Sequence, residues 1–139
     1  MRMEVDRART LLGSSRVARL ATASAAGEPH LVPVTFALDG DLLYFAIDNK
    51  PKSTNALRRL QNIRANSRVA VLVDHYADDW SALWWVRADG RAEIWESESQ
   101  RARPVELLAS KYPQYREQPP QGAVVAIRVD RLTGWSYAD

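Results

Sequence analysis

Hydrophobic positions along this chain change their spacing several times, and each change marks an element. Val5, Ala8, Leu11 and Leu12 recur at helical spacing and Gly13-Ser14-Ser15 closes the pattern, which predicts an amphipathic helix from about 4 to 13. Three β-rich runs follow, Arg16 to Ser24, His30 to Leu38 and Leu42 to Ile47, separated by the turn signals Ala26-Gly27-Glu28-Pro29 and Asp39-Gly40-Asp41. They predict a three-stranded meander. Leu57, Leu60 and Ile63 place a helix over about Ser53 to Ala65, and Val69 to Val73 is an uninterrupted apolar strand. Ser81 to Trp95 reads as one strand or a pair, because its Asp89-Gly90 suits either a bulge or a hairpin turn. A helix over about Glu98 to Lys111 carries Val105, Leu108, Ala109 and Tyr112 on one face, with Pro104 near its first turns. A loop rich in Pro and Gln runs from Tyr112 to Gly122. Ala123 to Val129 then gives a last strand before the Gly134-Trp135-Ser136-Tyr137 tail. Roughly six strands and three helices predict an antiparallel barrel flanked by helices, of α+β or mainly β class.

Composition narrows the chemistry. With 139 residues, 46% of them hydrophobic and 26% charged, the chain is expected to form a single domain over 1–139 with a proper core. The absence of cysteine excludes disulfides, thiolate nucleophiles and zinc-thiolate sites, and two histidines, His30 and His75, make a His-based metal cage hard to build. Asp74, Asp78 and Asp79 read as an acidic turn more readily than as a metal site, so no metal is expected. The opening stretch carries Glu4 and Asp6 and lacks the apolar run of a signal peptide or spanning helix, so a soluble, cytoplasmic protein with no membrane partner is expected. The net charge of +2 is too small for a polyanion-binding surface over the whole molecule, so the distribution of charge matters more.

The basic residues gather in one place. Lys50, Lys52, Arg58, Arg59, Arg64 and Arg68 lie in a stretch from Asn49 to Val73 that contains no acidic residue. Ser53 or Thr54 is placed to cap the helix, so free N–H groups, the positive helix end, Lys50 and Lys52 can converge on one anion such as a phosphate. A capped helix with a solvated basic face accounts for the same residues. Trp80, Trp84, Trp85 and Trp95 form a second cluster. Trp84 and Trp85 must face opposite sides of a strand, so one of them meets solvent, a partner subunit or a ligand, and Trp80 at a loop end is the preferred ligand contact. His30 and His75 read as structural, no Ser-His-Asp spacing is present, and the catalytic residue is left unassigned.

Taken together, Arg19-Leu-Ala-Thr22, Gly27-Glu-Pro-His-Leu-Val-Pro-Val-Thr-Phe36, Leu43-Tyr-Phe45, Lys52-Ser-Thr-Asn-Ala-Leu-Arg-Arg59 and Arg68-Val-Ala-Val-Leu-Val-Asp74 resemble the flavin/deazaflavin oxidoreductases. These are the split β-barrel proteins related to pyridoxamine 5′-phosphate oxidase. The closing Asp130-Arg-Leu-Thr-Gly-Trp-Ser-Tyr137 most resembles the actinobacterial branch that uses coenzyme F-420, a deazaflavin. The resemblance covers nearly the whole chain. It implies a homodimer with the cofactor cleft at the interface, Pro33, Val34 and Thr35 beside the ring system, and Lys50, Lys52, Ser53, Thr54 and Asn55 at the phosphate. Trp80 would form the cleft wall. The implied activity is hydride transfer from reduced F-420 to an unsaturated small molecule, with FMN as the alternative cofactor and a non-catalytic carrier as the alternative role. The additional substrate-phosphate residues and longer C-terminal region of true pyridoxamine 5′-phosphate oxidases are not matched. A nucleic-acid partner is not expected, since the basic stretch lacks interleaved aromatics for base stacking.

Overall fold

A computed structural model describes residues 1–47 and 54–138, with residues 54–56 described by their backbone alone. Among the described residues four helices, α1 (Val5–Ser14), α2 (Thr54–Ala65), α3 (Glu98–Lys111) and α4 (Pro113–Glu117), surround seven strands. These are β1 (Ala18–Ala23), β2 (Pro29–Val34), β3 (Ala37–Asp39), β4 (Leu42–Ala46), β5 (Arg68–His75), β6 (Trp84–Trp95) and β7 (Val124–Ser136). They form one antiparallel sheet in the order β2-β1-β5-β6-β7-β4-β3, an α+β architecture. The sheet wraps a core in which Leu20, Phe36, Phe45, Val71, Val86 and Ile127 are almost wholly excluded from solvent. Alternation is visible along β5, where Val69, Val71 and Val73 turn inward and Arg68 and Asp74 turn out.

Two expectations need correction, and one alternative left open is decided. The His30 to Leu38 run is not one strand and there is no three-stranded meander: β2 ends at Val34, and Ala37–Asp39 pairs with β4 at the far edge of the sheet. Phe36 and Ala37 are both buried in succession, which a continuing strand with one solvated face does not permit. Secondly, β6 is a single long strand with its irregularity at Asp89/Gly90, so the Asp-Gly pair marks a bulge. A Cβ on Gly90 would lie 2.2 Å from the Arg128 carbonyl oxygen, so glycine lets β7 come close there. Thirdly, β7 runs through the presumed tail to Ser136, and the Pro/Gln-rich loop contains α4. Pro104 lies at the seventh position of α3, deeper than its first turn, and is buried. The α3 start is fixed by a capping box in which Ser97 and Gln100 bond each other's backbone N–H groups.

The N-terminus is tied to the end of β7. Met3 N–H donates to the Gly134 carbonyl at 2.9 Å, and a Cβ on Gly134 would come within 2.9 Å of the Met3 sulfur. Ala8 and Leu12 of α1 pack into the core beside it. Among the described residues, no helix is long and apolar enough to cross a membrane.

Candidate cofactor cleft

A cleft of about 450 Å³ opens between the end of β2, the end of β4, α2 and α4. That volume lies in the range of small-molecule and cofactor sites. Its apolar floor comes from Pro33, Val34, Ala46 and Ile47, and its polar groups from Thr35, Arg59, Gln114 and Tyr115. Because β2 is an edge strand, its outer backbone is not committed to a neighbouring strand. On the opposite wall, α4 starts with Pro113 at a position suited to proline and holds Tyr115 over β2, where the Tyr115 hydroxyl and Thr35 Oγ1 are 3.0 Å apart.

Beneath that wall lies a buried anchor. The Tyr112 hydroxyl accepts from Phe36 N–H at 3.1 Å and donates toward the Arg16 carbonyl at 2.8 Å. Burial raises the Tyr112 pKa, so the phenol stays protonated and able to donate at neutral pH. Phe36 is thus held by Tyr112, at the junction of α3 and α4, and Thr35 by Tyr115 of α4, which explains how the chain leaves the sheet edge and still forms a defined cleft wall. Lys111, next in line, sits with Nζ 3.9 Å from the Phe36 ring centroid. That ammonium nitrogen is shielded and has no hydrogen-bond partner among the described residues, and burial followed by the nearby Arg16 charge lowers its pKa to about 8.

The structure brings Pro33, Val34 and Thr35 together on this cleft. Lys50, Lys52 and Ser53 lie outside the described residues. Thr54 and Asn55 open α2, whose first turn contains no acidic residue. Arg58 is exposed on that helix, and Arg59 lines the cleft with its guanidinium 5.7 Å from the Phe45 ring centroid. Trp80 begins a single 3₁₀ turn, is 57% exposed and is not among the residues lining the cleft of one chain. As strand geometry requires, Trp84 and Trp85 diverge: Trp84 packs against the core and stacks on His75 with centroids 6.2 Å apart, while Trp85 takes the Arg87 guanidinium over its ring. Among the described residues no group of His, Asp or Glu is arranged to hold a metal. Sequence reasoning missed Tyr112, Gln114 and Tyr115, although the Tyr112-Pro113 step signalled a helix start.

The model of the pyridoxamine 5′-phosphate oxidase family matches residues 5–136. The chain belongs to that family. Membership places it among oxidoreductase-type split barrels. A curated relative, the 5a,11a-dehydrotetracycline/5a,11a-dehydrooxytetracycline reductase of Streptomyces rimosus, is 38% identical over 65 residues, 47% of this chain and 44% of that protein. The match thus spans less than half of the relative's length. Among solved structures, an FAD-binding protein from Mesorhizobium loti superposes with a TM-score of 0.74 at 23% identity, covering 96% of this chain and 95% of that one. A conserved hypothetical protein from Mycobacterium tuberculosis gives 0.77 at 24% identity, with 96% and 85% covered. The FAD-binding protein of Mycobacterium smegmatis gives 0.68 at 17%, with 97% and 96% covered. At these identities the structural likenesses establish the fold of this family member.

Proposed function

We propose that this family member binds coenzyme F-420 in the cleft beside Pro33–Thr35 and reduces an unsaturated small molecule, acting in the cytoplasm as a homodimer. The cleft itself carries this reading: an apolar floor ends at an edge strand, hydroxyls stand on one wall, and Arg59 of α2 adds a guanidinium. That donor set fits a planar heterocycle with an anionic tail. When bound, the deazaflavin supplies a hydride from its ring; the protein's residues hold, orient and shield. Pro33, Val34 and Ile47 would lie along the ring, Lys50, Lys52, Ser53, Thr54 and Asn55 would hold the phosphate, and Arg59 would add charge at the cleft mouth. Tyr115, paired with Thr35, is positioned to donate a hydrogen bond to a polar substituent in the cleft.

The relative named as a reductase of dehydrotetracyclines supports an unsaturated carbon substrate. Dimerisation is supported by the outer sheet face, where Leu31 is 67% exposed directly opposite Ala21, and the half-buried Leu72, Trp85 and Trp135 lie farther along the same side. In such a dimer Trp80 would reach the partner's cleft. FMN is the alternative cofactor, favoured by the flavin-binding structural neighbours. The test is the decay of reduced F-420 absorbance on addition of a panel of α,β-unsaturated carbonyl compounds. Turnover is expected. Cofactor binding without turnover of any electron acceptor would make the protein a carrier, and turnover with reduced FMN alone would move it to the flavin branch.

A further inference from the structure

One row beyond the apolar face proposed for dimerisation, whose Leu31 row ends at Asp89 and Arg131, the outer side of β5, β6 and β7 holds an arrangement that the cleft does not use. Arg68 stands directly opposite Arg91, and Arg91 directly opposite Arg128, so three exposed arginines form one row across three neighbouring strands. Directly opposed side chains in a sheet lie within about 5 Å at Cβ, and like charges there are destabilising. Arg131 adds a fourth from the adjoining row, opposite Asp89. Two carboxylates offset part of this charge: Asp130 is forked by Arg91 at 3.0 and 3.1 Å, and Asp89 bonds Arg87 at 3.1 Å. The guanidinium groups of Arg68, Arg128 and Arg131 make no hydrogen bond or close salt bridge among the described residues, and Asp130 attracts Arg128 and Arg68 only at longer range. Five guanidinium groups therefore face three carboxylates, Asp89, Asp130 and Glu93, the last exposed two residues beyond Arg91 on the same side of β6.

The backbone shapes a hollow at the same place. β6 and β7 close up at the Asp89/Gly90 bulge, and beside it a cavity of about 570 Å³ opens, lined by Arg68, Arg91 and Arg131 together with Asp89 and Asp130, with Arg128 just outside it. Guanidinium groups bind phosphate and carboxylate through two parallel N–H bonds, as Arg91 already does with Asp130. Three arginines on adjacent strands span roughly 10 Å, the reach of a compact ligand with two or more anionic groups.

We propose that this arginine row is a second binding site, for a small polyanion carrying two or more phosphate or carboxylate groups. Calorimetric titration of the full chain with tripolyphosphate, citrate and orthophosphate in separate arms tests it. Saturable binding of tripolyphosphate or citrate is expected, with orthophosphate weaker by roughly tenfold; the tighter of the first two identifies the phosphate or the carboxylate class. Arg68→Gln and Arg128→Gln should each weaken binding by roughly tenfold. Arg68→Lys should weaken it too, because an ammonium lacks the fork. Arg64→Gln, which removes one charge from exposed α2, should not. Without ligand, melting temperatures of the Arg68 and Arg128 variants should hold or rise as like charges are removed, while the rise that tripolyphosphate gives the wild type should shrink. Absence of saturable polyanion binding overturns the proposal, as does an equal loss with Arg64→Gln. Either result leaves the cleft reading untouched.

Discussion

Replacing Lys111 by methionine should stabilise this protein at neutral pH. The Lys111 ammonium is shielded and without a hydrogen-bond partner among the described residues, although the residue as a whole is only half buried. Its pKa falls from an ordinary 10.5 to about 8, first through burial and then through the charge of Arg16. Fully shielded, that displacement would cost the charged form about 3 kcal/mol; solvent screening of a half-exposed side chain reduces it to about 1–2 kcal/mol. The contact with the Phe36 ring at 3.9 Å returns about 0.5–1 kcal/mol of this. Methionine keeps the length and apolar stem, so Lys111→Met should gain about 1 kcal/mol at pH 7. The sign with pH is fixed by linkage. The folded pKa lies below the unfolded one, so the unfolded chain binds more protons between about 8 and 10.5. Wild-type stability rises with pH across that window, and the methionine advantage, complete below about 8, fades through it. Urea denaturation of both proteins at pH 7 and pH 10 measures the effect. A loss of more than about 1 kcal/mol in the methionine variant at pH 7 would refute the reasoning, because the cation over the ring would then be a net stabiliser.

Four other outcomes follow from the geometry. Gly90→Ala places a Cβ 2.2 Å from the Arg128 carbonyl oxygen and should cost about 2–3 kcal/mol, read from denaturant midpoints. Asn62→Ala removes the buried Nδ2 bond to Thr22 Oγ1 at 3.0 Å and should cost about 1–3 kcal/mol. Adding Thr22→Val to it should cost less than the sum of the two single changes. Thr35→Trp fills the cleft from an exposed position, so cofactor affinity should fall by roughly tenfold or more while the melting temperature holds. Lys52→Ala should weaken cofactor binding by roughly tenfold or more, measured by fluorescence titration with F-420, and unchanged affinity would remove Lys52 from the site.

The turns were legible in the sequence because their chemistry is local: Gly27 and Gly40 hold positive φ of 84° and 59°, as the two turn signals require. Helices α1, α2 and α3 were legible from apolar spacing, and α3 also from Ser97 and Gln100. The β2/β3 division was not, because Phe36 keeps the inward phase of Val32 and Val34; only the Tyr112 hydroxyl, seventy-six residues away in sequence, shows where the backbone is held. The length of β7 was hidden by Asp130 and Arg131, whose charge suggests a strand end, whereas pairing along the whole of the long β6 carries the strand past them. For the cleft, the β2 wall was legible and the α3–α4 wall was not, since a Pro/Gln-rich stretch carries no apolar period. Lys111 gave no signal, because helical spacing places it at an ordinary charged C-terminus.

Equilibrium titration of the purified, cofactor-free protein with F-420 and, separately, with FMN, followed through quenching of tryptophan fluorescence, tests the central claim most directly. Saturable F-420 binding at micromolar concentration or below, a weak response to FMN and loss of both signals in Thr35→Trp are the expected result. Binding of neither cofactor, or F-420 binding that Thr35→Trp leaves intact, would contradict the assignment of the cleft.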